Sequence, residues 1–142
     1  MSKRPIRLQT QDRYPNACGQ ACVAMISGVS VETAIQAIGT AGGTNTADLI
    51  RGLQALGVPC ASSYTRITWR HPKPNLCIVR THCDVCSTTH WVVWDGHQYY
   101  DPSPGFGCYP ELLPGMRETS YLEIFEDNLI PYREEKLHAN QA

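Results

Sequence analysis

The sequence predicts an α+β domain, with helices packed on an antiparallel sheet. Helical patterns occupy the first part of the chain and strand patterns the rest, an order that gives separate helical and sheet layers rather than alternating βαβ units. The apolar period changes at Val58, from helical spacing before it to strand alternation after it. Asp95-Gly96, flanked by Trp94 and by the aromatic pair Tyr99-Tyr100, carries the strongest short-range hairpin signal in the chain.

Each element follows from local chemistry. Residues 1–14 are polar and read as irregular, and Pro15-Asn16 supplies a turn or an N-cap. A helix then starts at Cys18. Cys22, Met25, Ile26 and Val29 follow Cys18 at helical spacing, which buries one face, and Ser27-Gly28 ends the segment. Ser30 caps a short helix from Val31 to Ile38, closed by Gly39. The Gly/Thr-rich stretch 39–46 is a loop, and Ala47 to Leu56 forms a third helix whose Leu49, Ile50, Leu53 and Leu56 make an apolar stripe ending at Gly57. Strands are predicted over Cys60–Thr68, Leu76–Thr81, 89–95, 97–101 and Thr119–Phe125, with Pro-rich connectors at Arg70–Pro74 and Pro102–Gly105. Residues 1–126 make one domain, and 127–142 read as a loosely ordered tail.

Composition narrows the function classes. With 142 residues the chain can bury a single core. A net charge of −1 gives no overall field favouring nucleic acid or an anionic membrane. No stretch approaches the length of a membrane span, and Met1-Ser2-Lys3-Arg4 is not followed by the apolar run of a secretory signal, so a cytoplasmic location is expected. Seven cysteines, an odd number, predict reduced thiols rather than a disulfide scaffold.

The chemistry lies in three residues and a fourth. With Asp95-Gly96 as a two-residue loop, Trp94 faces His97 and His90 lies directly opposite Asp101, within reach for an imidazole N–H to meet a carboxylate. The other ring nitrogen is then free to serve Cys18. A cysteine acts as a nucleophile only as thiolate, and both the positive end of a helix and an adjacent imidazolium lower its pKa. Gly19 is expected to leave space beside the sulfur for a substrate carbonyl. The oxyanion donors expected are the Cys18 backbone N–H and an upstream amide, Gln11 first and Gln9 in reserve. Any one of these residues alone reads as structural; their conjunction with the hairpin reads as catalytic.

Gln11, Cys18-Gly19-Gln20-Ala21-Cys22-Val23-Ala24-Met25, Thr46-Ala47-Asp48-Leu49, Ala55-Leu56-Gly57-Val58, His90-Trp91-Val92-Val93 and Tyr99-Tyr100-Asp101-Pro102 together resemble the C39 group of papain-like cysteine peptidases. These enzymes remove double-glycine leaders from bacteriocin precursors. The likeness covers roughly residues 9 to 105, in matching order. It implies a papain-like fold with Cys18 as nucleophile, His90 as general base and acid, Asp101 as its orienter and Gln11 as oxyanion donor. It implies no cofactor, and a peptide or protein as substrate. Ala17 stands where the family usually has an acidic residue or Asn, and Gln11 lies one residue further upstream than usual. The family is commonly fused to a membrane transporter and an ATPase, and neither a span nor a Gly-x-x-x-x-Gly-Lys-Ser/Thr phosphate loop occurs in these residues. The same Cys-His-Asp machinery also serves acyl transfer and glutamine deamidation, and the same fold without catalysis could bind a peptide.

Cys83 and Cys86 stand apart from this set. A Cys-x-x-Cys is half of a structural zinc site, but no second short-spaced pair accompanies it, and further ligands would have to come from His82, His71, Cys60 or Cys108. Reduced thiols on a loop is the simpler reading, with a redox pair as the rarer one. Substrate specificity is expected to depend on the loops 39–46 and 102–117.

Overall fold

A computed structural model describes residues 4–125 and 129–130. Three helices, α1 (Cys18–Ser27), α2 (Val31–Ile38) and α3 (Thr46–Ala55), precede the main sheet. Two short strands, β1 (Arg4–Pro5) and β8 (Leu129–Ile130), pair in parallel. The main sheet contains β2 (Thr65–Arg66), β3 (Cys77–Cys83), β4 (Thr88–Trp94), β5 (Tyr99–Asp101), β6 (Gly107–Tyr109) and β7 (Met116–Glu123), in the order β2-β7-β3-β4-β5-β6, with every pair antiparallel. The chain is therefore α+β.

Local chemistry sets the helix limits. Ser30 Oγ accepts the Thr33 N–H at 3.1 Å to cap α2, and Asn45 and Asp48 form a reciprocal capping box at the start of α3. Gly28 and Gly39 close α1 and α2 in the left-handed conformation that glycine adopts without strain. Helix α1 departs from the expected one-sided burial: Gly19 through Ile26 are all buried. It is a central helix, enclosed by α2, α3 and β4, and its small residues let the neighbours approach closely.

The strands differ from expectation in several places, and the one expected at Thr119–Phe125 runs from Met116 to Glu123. Cys60–Thr68 yields only Thr65–Arg66 as strand, with Cys60 making an isolated bridge to Ile124. The strand expected at Leu76–Thr81 runs two residues further, to Cys83, where it pairs with Thr88. Residues 107–109, which follow the Pro/Gly break, form β6 beside β5; three residues are too few for alternation to register in the sequence. Arg4–Pro5 is a strand rather than irregular chain, and Ile6 behind it is buried. Leu129–Ile130, assigned to the tail, pair with it, whereas residues 126–128 and 131–142 lie outside the described residues.

A further difference bears on the site. Val93 pairs with Tyr100 and Trp94 with Tyr99, so the connection holds four residues, Asp95 to Gln98, instead of two. Asp95 is the cause. Its buried carboxylate accepts the N–H groups of His97 at 2.7 Å and Gln98 at 2.9 Å through Oδ1, and the Tyr100 hydroxyl at 2.8 Å through Oδ2. This Asx-type capture widens the turn. The register thus shifts by two from the expected one.

The sheet has an apolar cluster on each face. Trp91, Val93, Tyr100, Ile78 and Leu122 pack with the helices, while Cys77, Val79, Val92, Tyr99, Tyr109 and Tyr121 form a second cluster with Ile67, Leu112 and Leu113. Among the described residues no single helix is long and apolar enough to cross a membrane.

Candidate active site

Cys18 is the first residue of α1, and its N-cap, Ala17, offers no side-chain hydrogen bond to the first-turn N–H groups. The donors at this helix start are therefore left for other acceptors. The Cys18 sulfur takes hydrogen bonds from the backbone N–H groups of Gly19 and Trp91 and from the His90 imidazole. Burial pushes the thiol up, but the His90 hydrogen bond and charge, with those two N–H groups, outweigh it and hold Cys18 below its ordinary value. Cys22, one turn on, moves the opposite way: it is fully buried, and the neighbouring Cys18 and Asp101 charges add to that burial. Burial and neighbours thus move the two cysteines of the helix in opposite directions.

His90 lies on β4. The buried Thr81 hydroxyl donates to the His90 carbonyl at 3.1 Å and holds its backbone. Its Nε2 lies 2.7 Å from Asp101 Oδ1 and 3.1 Å from Ser103 Oγ, which leaves Nδ1 for the Cys18 sulfur. Burial alone would lower the His90 pKa, but Asp101 and the Cys18 thiolate raise it to about 9. The Cys18 thiolate and the protonated His90 ring therefore stabilise one another. Asp101 reaches His90 even though the two are not directly opposite, because a shift of two residues keeps a side chain on its face and diagonal neighbours remain within reach of a histidine.

Asp101 is buried and well satisfied. Oδ1 also accepts the Ser103 N–H at 2.9 Å, and Oδ2 accepts the Tyr109 hydroxyl at 2.5 Å. Burial pushes its carboxyl up, but the His90 and Tyr109 hydrogen bonds, with the His90 charge and the Ser103 N–H, bring it below its ordinary value. Neither Ser103 nor Tyr109 was signalled by the sequence, since Ser103 sits in a Pro-rich turn and Tyr109 on an unexpected strand. Tyr109→Phe removes one charge-assisted bond, worth about 1.5–3 kcal/mol, from a buried carboxylate. Asp101 contributes stability that is present above its unfolded pKa and lost as pH falls through its depressed folded pKa, so the variant's folded pKa is higher. The acid-unfolding midpoint of Tyr109→Phe, followed by circular dichroism, is expected at a higher pH than in the parent protein.

Gln11 is brought beside this set. Its backbone N–H donates to Pro102 O at 3.0 Å, fastening its loop to the segment after Asp101. Its side-chain amide donates to Pro15 O at 2.6 Å and reaches Tyr14 O only at 3.5 Å, leaving at most one N–H for a substrate; its buried Oε1 has no partner among the described residues. Gln9 is not brought there. Its amide donates to Val29 O at 3.1 Å, beyond the far end of α1.

Gly19 has a different role from the one expected. A Cβ there would lie 2.1 Å from Thr44 Oγ1 and 2.9 Å from Leu49 Cδ2, so the space beside it is filled by the 39–46 loop and α3 rather than left for a carbonyl. The next residue, Gln20, clamps the same loop by donating to Thr40 O at 2.7 Å and Gly42 O at 2.9 Å.

Cys83 and Cys86 sit at the β3–β4 turn, where the Cys86 N–H meets the Cys83 sulfur at 3.5 Å. Cys86 is exposed, and hydrogen bonds from Cys83 and Thr88 lower its thiol. Among the described residues no group of three or more His, Cys, Asp or Glu side chains could hold a metal ion.

Scanned against models of known protein families and compared with curated proteins, the sequence matches none.

Proposed function

We propose that this chain is a cysteine-dependent amide hydrolase of papain-like fold, acting as a peptidase. The observation that carries the reading is the continuous hydrogen-bonded chain from Cys18 through His90 to Asp101, with 2.7 Å between Nε2 and Oδ1. A nucleophile at the start of a central helix, facing a histidine on an antiparallel sheet, supports the papain-like layering. The hydrogen bond between ring and sulfur supports catalysis over peptide binding alone.

The reaction follows from these groups. The Cys18 thiolate attacks the substrate carbonyl carbon, and the carbonyl π electrons move to oxygen, where the Cys18 N–H and the remaining Gln11 N–H can receive the oxyanion. On collapse the C–N bond breaks, and the imidazolium of His90 gives its proton to the departing amine. A thioester remains on Cys18. His90, now neutral and held by Asp101, takes a proton from water as that water adds to the thioester, and the C–S bond breaks to release the carboxylate product and restore the pair. An amine acceptor in place of water gives acyl transfer with the same residues.

The direct test is alkylation by iodoacetamide, followed by mass spectrometry of each cysteine. Cys86 is the rival for acid-side reactivity, so a Cys86→Ser background isolates Cys18. Cys18 is expected to react well below the pH at which an ordinary thiol does, and to go on reacting above pH about 9, because the thiolate persists there. Peptide hydrolysis is expected to fall through about pH 9, where His90 loses the proton needed by the leaving amine. Uniform labelling of all the cysteines at mildly acidic pH would overturn the proposal.

A further inference from the structure

We propose that the groove beside Cys18 is a substrate subsite for an aspartate or glutamate side chain, with Arg80 as the residue that recognises it. The inference rests on the peptidase reading and names part of its specificity.

Position comes first. The groove encloses about 410 Å³, within the range of small-ligand sites. It is lined by the end of the 39–46 loop and the first turn of α3, from Thr44 to Ala47, by Ser62–Tyr64, and by Arg80 of β3. Two of its lining residues touch the residues that flank the nucleophile. Thr44 packs where a side chain on Gly19 would be, next to Cys18. Arg80 pairs across the sheet with Trp91, its guanidinium 6.0 Å from the Trp91 ring, and the Trp91 N–H is a donor to the Cys18 sulfur. The Trp91 indole N–H in turn bonds the Thr44 carbonyl at 3.4 Å, tying the Thr44 side of the groove to β4. A chain bound with its scissile carbonyl at Cys18 can therefore lay a neighbouring side chain in the groove.

Charge selects the occupant. Arg80 is the one charged residue lining the groove, and among the described residues it forms no ion pair. The acidic residue of α3, Asp48, is committed to Arg51 at 2.9 Å and to the Asn45 N–H at 2.9 Å. The remaining polar groups, Asn45, Thr46, Ser62 and Ser63, are neutral and can donate hydrogen bonds. An arginine presents a fork of N–H donors that matches a carboxylate, whereas a lysine or arginine side chain of a substrate would meet like charge with no acid to relieve it. A cation–π contact with Trp91, at 6.0 Å from the ring centroid, favours rotamers of Arg80 that keep the fork over β4.

The experiment compares matched peptidyl vinyl sulfones that alkylate Cys18, carrying Glu, Gln or Lys in turn at each of the three residues nearest the warhead. At one position the Glu probe is expected to react about tenfold faster than the Lys probe, with Gln between them. Arg80→Ala should level the three rates and Arg80→Glu should reverse their order. The ratio within one variant is independent of how much of it is folded. Equal rates at every position in the parent protein, with Cys18 still more reactive than the other thiols towards iodoacetamide, would overturn the subsite and leave the peptidase reading standing. Ordinary iodoacetamide reactivity at Cys18 would overturn both.

Discussion

Replacing His90 by alanine is expected to reduce peptide hydrolysis by about 10⁴-fold or more, since removing one member of a nucleophile–base unit costs nearly as much as removing the unit. The same change should slow alkylation of Cys18 at mildly acidic pH by about 10- to 100-fold, because the thiol returns towards the ordinary range near 8.5. The causes are separable in the structure. Burial already disfavours the Cys18 thiolate, and the imidazolium is the full charge that offsets it; the Gly19 and Trp91 N–H groups alone leave a desolvated sulfur. Cys86 provides an internal control, because its thiol is lowered by Cys83 and Thr88, not by His90. Loss of reactivity at both cysteines would indicate unfolding, and an unchanged Cys18 rate would remove His90 from the site.

Replacing Asp101 by asparagine is expected to lower hydrolysis by about 10²- to 10⁴-fold while the fold persists, by analogy with the corresponding change in Ser-His-Asp enzymes. The physical reason is the tautomer. With a carboxylate at 2.7 Å, Nε2 carries the proton and Nδ1 can take one from sulfur or water. An asparagine amide can donate to Nε2 instead, which places the proton on Nδ1, facing Cys18, where a base is needed. Removing the negative charge also lowers the His90 pKa from about 9, so the alkaline limb of the activity profile should move to lower pH. A kcat–pH profile for a library-selected peptide reads both effects. An Asp101→Asn variant with the parent profile would show that the carboxylate only packs.

The helical layer was legible in the sequence because its signals are local. Ser30 and Gly39 bound α2 at the expected residues, and α3 is displaced by a single residue because Asn45, with Asp48, supplies a stronger cap than the Thr/Ala that follow. The sheet was less legible. Asp95-Gly96 signals a tight reversal, but whether Asp95 joins the two-residue turn or captures the next two N–H groups depends on its burial and on Tyr100, which local pattern does not contain. β6 and the β1–β8 pair are too short to announce themselves, and they exist because a partner strand satisfies their backbone groups.

The site divides along the same line. Residue types and the period-two face of the hairpin determined by themselves that Cys18, His90 and Asp101 could form one chemical unit, since an even shift of register leaves a side chain on the same face. Only the tertiary structure decided which groups surround that unit: Tyr109 and Ser103 on Asp101, Thr81 behind His90, the Trp91 N–H on the sulfur, and Thr44 in the space beside Gly19. These partners come from elements far apart in the chain. Their hydrogen bonds are set by packing between layers, and packing between layers leaves no periodic trace in the order of the amino acids.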